Sequence, residues 1–332
     1  MKFNRLICGG VLLSSLIFAN SSLRELATSN GLTPIPDNKK ELYQIIDPNG
    51  LLTPERILLG KKLYFETRLS KASDISCASC HILDGGGDDN IPVAIGHKGG
   101  KNPHHLNSPT VYNAVFFDAQ FWDGRSPSLE DQAKGPIQAP VEMAMTSKEA
   151  EKRINDIPEY VAEFKKAYNK DVKIDFDLIT STIGLYERTL VTPSPFDDYL
   201  NGDDKALNKA QKDGLRKFIE IGCTGCHTGI AIGGSMQPFD VGKDFKFANI
   251  GDFKGGKDGL VKVGTLRNIT QTSPYFHNGT MDKLEDVVKE MAKIQLGKKI
   301  TNDDIKSILI FLKSLEGRKG DTNAPTLPPL KK

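Results

Sequence analysis

Cys77-Ala-Ser-Cys80-His81 and Cys223-Thr-Gly-Cys226-His227 decide how this chain is read. Each is C-x-x-C followed at once by His, the pattern of c-type haem attachment. Two thiols add to the two porphyrin vinyl groups, and the two intervening residues set their separation. The adjacent imidazole then reaches the iron as the proximal ligand. Apart from Cys8, the two motifs use every cysteine of the chain. A structural zinc site would bring a four-cysteine or a two-cysteine, two-histidine spacing. A thioredoxin-like disulfide would bring a βαβ context. Neither accounts for a histidine directly after both pairs.

Outward from the first motif, Thr53-Pro54-Glu55 is a helix start, with a hydroxyl cap and proline at the first helical position. Ile57, Leu58, Leu59, Leu63 and Tyr64 continue it at helical spacing. Residues 84–110 are rich in Gly, Asn and Pro and read as loop. Helical patterns return at 147–168 and 176–191. Pro193, Pro195 and Asn201-Gly202 then break the chain, which places a domain boundary near 200. The second half repeats the plan. Asn208 caps a helix carrying Leu215, Phe218 and Ile219 into Cys223, and a Gly-rich loop spans 229–259. Residues 282–295 are helical in pattern. Asn302-Asp303-Asp304 caps a last helix with Ile305, Ile308, Leu309, Phe311 and Leu312. The expected fold is mainly α: two cytochrome c-like domains, 23–200 and 201–317, each with one covalently bound haem c. Each half is small, so the haem must fill much of its core. Residues 23–50 read as an irregular lead-in and 318–332 as a mobile tail.

The length of 332 residues suits two domains. Apolar residues at 38% and charged residues at 26% give a soluble globular balance. The net charge of +2, without a strongly basic block, makes a nucleic-acid partner a poor reading. Lys2 and Arg5 precede an apolar run, 6–19, too short to span a bilayer, and Ala19-Asn20-Ser21-Ser22 supplies small residues for cleavage. Residues 1–22 therefore read as a cleaved secretory signal peptide. Losing two cations takes +2 to 0, so the exported protein is near neutral.

What fills the second axial position of each iron separates electron transfer from catalysis. His97 lies in Ile95-Gly96-His97-Lys98-Gly99-Gly100, where glycines permit close approach and motion. It reads equally as a displaceable distal ligand or a loop histidine. His104 and His105 read as surface residues. For the second haem, Met281 and Met291 both precede the last helix, and Met236 lies too near His227. A Met/His pair raises the reduction potential, but either methionine also reads as core packing.

Further strings narrow the reading. They are Arg68-Leu69-Ser70, Asn107-Ser108-Pro109-Thr110, Gln120-Phe121-Trp122-Asp123-Gly124-Arg125 and Gln132-Ala133. Gly135-Pro136-Ile137, Pro140-Val141-Glu142-Met143, Thr265-Leu266-Arg267-Asn268 and Pro274-Tyr275-Phe276-His277-Asn278-Gly279 complete the set. Through them the chain resembles the bacterial dihaem cytochrome c peroxidases from about Leu51 to Leu315. The resemblance implies that His97 is the distal ligand of a low-potential, peroxidatic first haem. It implies Glu142 as the acid–base residue, Gln132 as the neighbouring amide, Trp122 between the haems and Met291 on the high-potential second haem. It also implies an interdomain calcium ion at Asn107, Thr272 and Pro274, the last two through backbone carbonyls. The implied activity is reduction of hydrogen peroxide to water by a periplasmic homodimer. Electrons would come from a small reduced monohaem cytochrome c, enter at the C-terminal haem and be used at the N-terminal haem. Reduction of the second haem would release His97 from the first iron. Two rivals stand beside this. One is a related enzyme that modifies a partner protein's tryptophans, with Tyr where the peroxidases carry Met. The other is a carrier with both irons permanently six-coordinate.

Overall fold

The computed structural model describes residues 22–239 and 245–329. The expected signal peptide lies outside them, except Ser22, which caps the first helix. The helices are α1 Leu23–Ser29, α2 Lys39–Ile46, α3 Pro54–Tyr64, α4 Cys77–Cys80, α5 Leu129–Gln132, α6 Lys134–Gln138 and α7 Ser147–Asn155. They continue as α8 Pro158–Tyr168, α9 Phe176–Glu187, α10 Pro195–Leu200, α11 Lys209–Ile221, α12 Leu284–Leu296 and α13 Asn302–Lys313. Among the described residues the one sheet pairs β1 Met236–Pro238 antiparallel with β2 Leu260–Lys262, Gln237 opposite Val261. The fold is mainly α.

In each half, the helix leading into C-x-x-C-H is clamped onto a later helix through a glycine. A Cβ on Gly60 of α3 would stand 2.3 Å from Thr182 O of α9. A Cβ on Gly214 of α11 would stand 2.2 Å from Ser307 O of α13. Around the first crossing pack Leu59, Leu63, Tyr64, Ile179 and Ile183. Around the second pack Leu215, Phe218, Ile308, Phe311 and Leu312. Each such side chain contributes roughly 1.5–3 kcal/mol on burial. The starts of α3 and α11 follow the sequence: the Thr53 hydroxyl accepts from Arg56 N at 3.3 Å, and Asn208 forms a capping box with Gln211. The cap of α13 is Thr301 rather than Asn302, because its hydroxyl reaches Asp304 N at 3.1 Å. The single helical pattern at 147–168 divides into α7 and α8. Pro158 has no N–H and holds Ile157 extended, with φ −106° and ψ 102°.

The two cores do not meet at one point in the chain. Phe196, Tyr199 and Leu200 of α10, placed before the expected boundary near 200, belong to the second core with Leu32 and Ala27 of α1. The fastening is the carboxylate of Asp197, which accepts from Ile35 N at 2.7 Å and meets both terminal nitrogens of Arg267 at 2.7 Å. The lead-in therefore is not irregular: its first part packs on the second core, and Ile46 of α2 packs with Leu52 and Leu185 beside the first. Nor is the tail free along its described length. Lys61 binds Asp321 at 2.7 Å, and Arg68 donates to Pro328 O at 3.0 Å.

A local repeat sits beneath both motifs. Thr110 Oγ1 donates to Gly86 O and Thr265 Oγ1 to Ala231 O, each at 2.6 Å. Three residues on, Asn113 and Asn268 are both left-handed, with φ 62° and 58°, a conformation asparagine tolerates. Both side-chain amides donate to Thr192 Oγ1, at 2.8 and 2.9 Å. The halves are thus joined at equivalent points.

Candidate functional site

Each C-x-x-C-H motif borders a cavity: about 820 Å³ for the first and about 390 Å³ for the second. Both volumes fall in the range of cofactor pockets, roughly 300–1,000 Å³. The first is lined by Cys77, Cys80 and His81, the second by Cys223, Cys226 and His227. His81 Nδ1 lies 3.3 Å from Gly87 O, and His227 Nδ1 lies 3.3 Å from Ile232 O. With Nδ1–H donating to a carbonyl, each Nε2 keeps its lone pair for iron. Burial lowers both imidazoles, His227 to about 4, which keeps them neutral. The cysteines are unpaired. Burial pushes the thiols up, Cys80 to about 12 and Cys223 to about 11, so both pockets favour uncharged sulfur, as a thioether is. These residues fit two covalently bound haems.

Over the first cavity, α5 and α6 run nearly end to end and then turn back. The turn is closed by Glu142 N to Ala139 O at 3.0 Å and Met143 N to Pro136 O at 3.1 Å. It brings Glu142 to the cavity wall with Gln132, the last residue of α5. Burial raises the Glu142 carboxyl above its ordinary value, and Arg125 works against that rise. Arg125 lines the same cavity, lies 3.5 Å over the Phe121 ring and pairs with Asp123 at 2.8 Å. His97 is not among the lining residues, although Gly96 is. Its N–H donates to Glu142 O at 2.8 Å, and its Nδ1 is buried without a partner. A Cβ on Gly96 would fall 1.9 Å from Val141 O, so only glycine lets this loop press on the Glu142 turn.

Trp122 lines both cavities, and its indole N–H donates to Asn107 O at 2.9 Å. Met291, on α12, lines the second cavity; Met281 does not, and its carbonyl accepts from Tyr275 N at 2.7 Å. Asn107, Thr272 and Pro274 all border the second cavity. Asn107 Nδ2 donates to Ile91 O at 2.8 Å, leaving its Oδ1 for another partner. The oxygens at these positions suit a hard cation. His104, read as a surface residue, is exposed and 2.9 Å from Asp252.

Three further groups escaped the sequence reading. Glu187 lines the first cavity, and burial pushes its carboxyl up to about 8. His277 lines the second, lowered to about 4 by burial. Lys262 lines both. Glu187 and Lys262 carried no motif signal, and their burial follows from packing distant in sequence. His277 stood in a recognised string that named no chemistry for it.

Residues 54–205 match the family described as di-haem cytochrome c peroxidase. Cytochrome c551 peroxidase of Pseudomonas aeruginosa is 44% identical over 308 residues, covering 89% of this chain and 87% of that protein. The chain belongs to the di-haem cytochrome c peroxidase family. Its cofactors are two c-type haems. Cytochrome c551 peroxidase of Nitrosomonas europaea is also 44% identical, covering 86% of this chain and 87% of that protein. Methylamine utilization protein MauG of Methylorubrum extorquens is 31% identical, covering 83% and 82%. A solved MauG-like protein associated with microbial copper homeostasis shares the fold, with TM-score 0.68 and 24% identity over 80% of this chain and 90% of that one. Among the described residues no helix is long and apolar enough to cross a membrane.

Proposed function

We propose that this di-haem peroxidase reduces hydrogen peroxide at the first haem, with electrons from a small reduced cytochrome c entering at the second. The observation that carries the reading is the convergence of Glu142 and Gln132 on the cavity of His81. Cys77, Cys80 and His81 would hold the first haem, which would supply redox-active iron for cleaving the peroxide O–O bond. Glu142 takes the proton from the near peroxide oxygen and returns it to the departing one. Gln132 orients the peroxide by donating from its amide. Trp122, in the wall common to both cavities, lies on the route between the haems. Met291, which lines the second cavity, would hold the second haem's iron through its thioether and would raise its potential.

His97 is the gate. Its place outside the cavity lining, with Glu142 at the wall, supports an open arrangement. The bond from His97 N to Glu142 O ties the two segments, so a movement of the His97 loop toward the first haem would pull on the Glu142 turn. Calcium at Asn107, Thr272 and Pro274 holds the halves in register. The protein acts in the periplasm as a homodimer after loss of residues 1–22. A tryptophan-modifying enzyme fits less well, since the candidate axial position on α12 carries Met291 and not tyrosine, although Tyr275 also borders the second cavity.

The test is peroxide-dependent oxidation of a reduced small cytochrome c, with calcium, using holoprotein as isolated and after one-electron reduction. Turnover only after reduction supports both the peroxidase and the gate. Turnover in both states removes the gate. No turnover in either, with both haems present and reducible, overturns the peroxidase.

A further inference from the structure

Lys262 is a buried charge that the peroxide chemistry does not use. It ends β2 and is only 5% exposed. It lines both cavities, and its main-chain N–H donates to Trp122 O at 2.8 Å. Its Nζ stands 4.8 Å from the Phe117 ring centroid. Among the described residues the ammonium has no hydrogen-bond acceptor and no paired carboxylate. Asp123, the acid that acts on it, is already paired with Arg125. Burial pushes the Lys262 amine down to about 7, so without a counter-ion it stands close to neutral, and an anion beside it would restore the charge. The wall where Lys262 sits therefore offers an anion in either cavity a partner that the polypeptide itself leaves unmatched.

Each haem brings two propionate carboxylates. We propose that Lys262 is a counter-cation shared by a propionate of each haem, bridging the two across the wall that holds Trp122. An ammonium suits the role, since it is a compact charge with three rotatable donors. One N–H can face each cavity while β2 fixes the stem. The charge then acts on both irons, favouring the reduced state of each. The bridge presupposes the two-haem reading, and haem content is measured first so that failure of one is not mistaken for failure of the other.

The experiment compares native holoprotein with Lys262→Met and Lys262→Arg. Spectroelectrochemical titration gives the reduction potential of each haem, and resonance Raman spectra give the propionate bending bands. A unit charge roughly 12 Å away in a medium of ε about 20 changes an equilibrium constant about tenfold. Lys262→Met should therefore lower the equilibrium constant for reducing each haem about tenfold, about 59 mV for one electron. It should shift the propionate bands of both haems. Lys262→Arg keeps the charge and should stay within about threefold of the native constants. Unchanged potentials and bands in Lys262→Met overturn the proposal. A change confined to one haem overturns the sharing. Should Lys262→Met not fold with both haems, Lys262→Gln, which keeps a donor without the charge, is read by the same two measurements.

Discussion

Replacing Glu142 with glutamine removes one proton site and little else. The Glu142 side chain has no hydrogen bond among the described residues, so the amide breaks none. The bonds that hold the turn belong to the main chain: Glu142 N to Ala139 O, and His97 N to Glu142 O. Glutamine has nearly the same shape, so the cavity wall and Gln132 beside it stay in place. A positioned acid–base group contributes about 10²–10⁴ in rate. At 1.36 kcal/mol per decade, that is about 2.7–5.4 kcal/mol of barrier. The loss should appear in kcat/KM for peroxide, with both haem potentials unchanged. The pH profile gives a second readout. Burial raises the Glu142 carboxyl and Arg125 opposes that rise. Glu142 must start ionised, so the native rate should fall as pH drops through the raised value. Arg125→Leu removes the opposing cation and should move that acid limb to higher pH; Glu142→Gln should abolish it. The assay is initial-rate oxidation of reduced cytochrome c by the reduced-activated enzyme across the acid range. Activity of Glu142→Gln within about threefold of native, with the acid limb intact, would refute the proton role.

Two other substitutions probe the frame around the site. Arg267→Met should cost about 3–5 kcal/mol, because it strands the buried carboxylate of Asp197; urea unfolding of the holoprotein followed by circular dichroism measures it. Burial alone would raise Asp197, but its pair with Arg267 wins and leaves the carboxyl lowered. Its contribution is therefore full above the unfolded value of about 3.9 and fades as pH falls through the lower folded value, a dependence that Arg267→Met should lack. Gly214→Ala gains about 1 kcal/mol of helix propensity. It must also push α13 away from a Cβ otherwise 2.2 Å from Ser307 O, an overpacking of about 1–3 kcal/mol or more. The net loss should show in the same unfolding assay, whereas Gly320→Ala, with open space around it, should change nothing.

Covalent haem attachment is legible in a sequence because its chemistry is local. Two thiols and an imidazole must lie within one turn, so Cys77 to His81 and Cys223 to His227 announce both pockets. The helices entering them are legible for the same reason, through Thr53, Pro54 and Asn208. The division of the chain is a different matter. Ile35, Asp197 and Arg267 meet from three remote segments, and no local pattern joins them. This is why residues 23–35 pass for a loose lead-in when they pack on the second core. The tail is held the same way, by Lys61 and Arg68 on the far half. Lys262 was hidden for a related reason. A lysine after a Gly-rich loop looks solvated until β2 pairs with β1 and Trp122 O takes its N–H.

The wall between the cavities is where the two halves share residues. Asn107, Trp122 and Lys262 border both cavities and form one chain of bonds: Lys262 N to Trp122 O, and Trp122 Nε1 to Asn107 O. Asn107 N continues it to His277 O, and the His277 ring packs edge-on against Trp122 within the second cavity's lining. On the other side, Thr110 and Asn113 follow directly in sequence and tie this segment to the first motif loop and to Thr192. The two haem cavities thus share one continuous hydrogen-bonded segment, which is the route by which the proposed gate would sense the second haem. The Glu142 turn forms another part of the first cavity's wall, and the His97 loop is pressed on it where Gly96 meets Val141. The proposed gate would need the shared wall to transmit and the glycine-flanked loop to yield, and the two lie on different segments lining the same cavity.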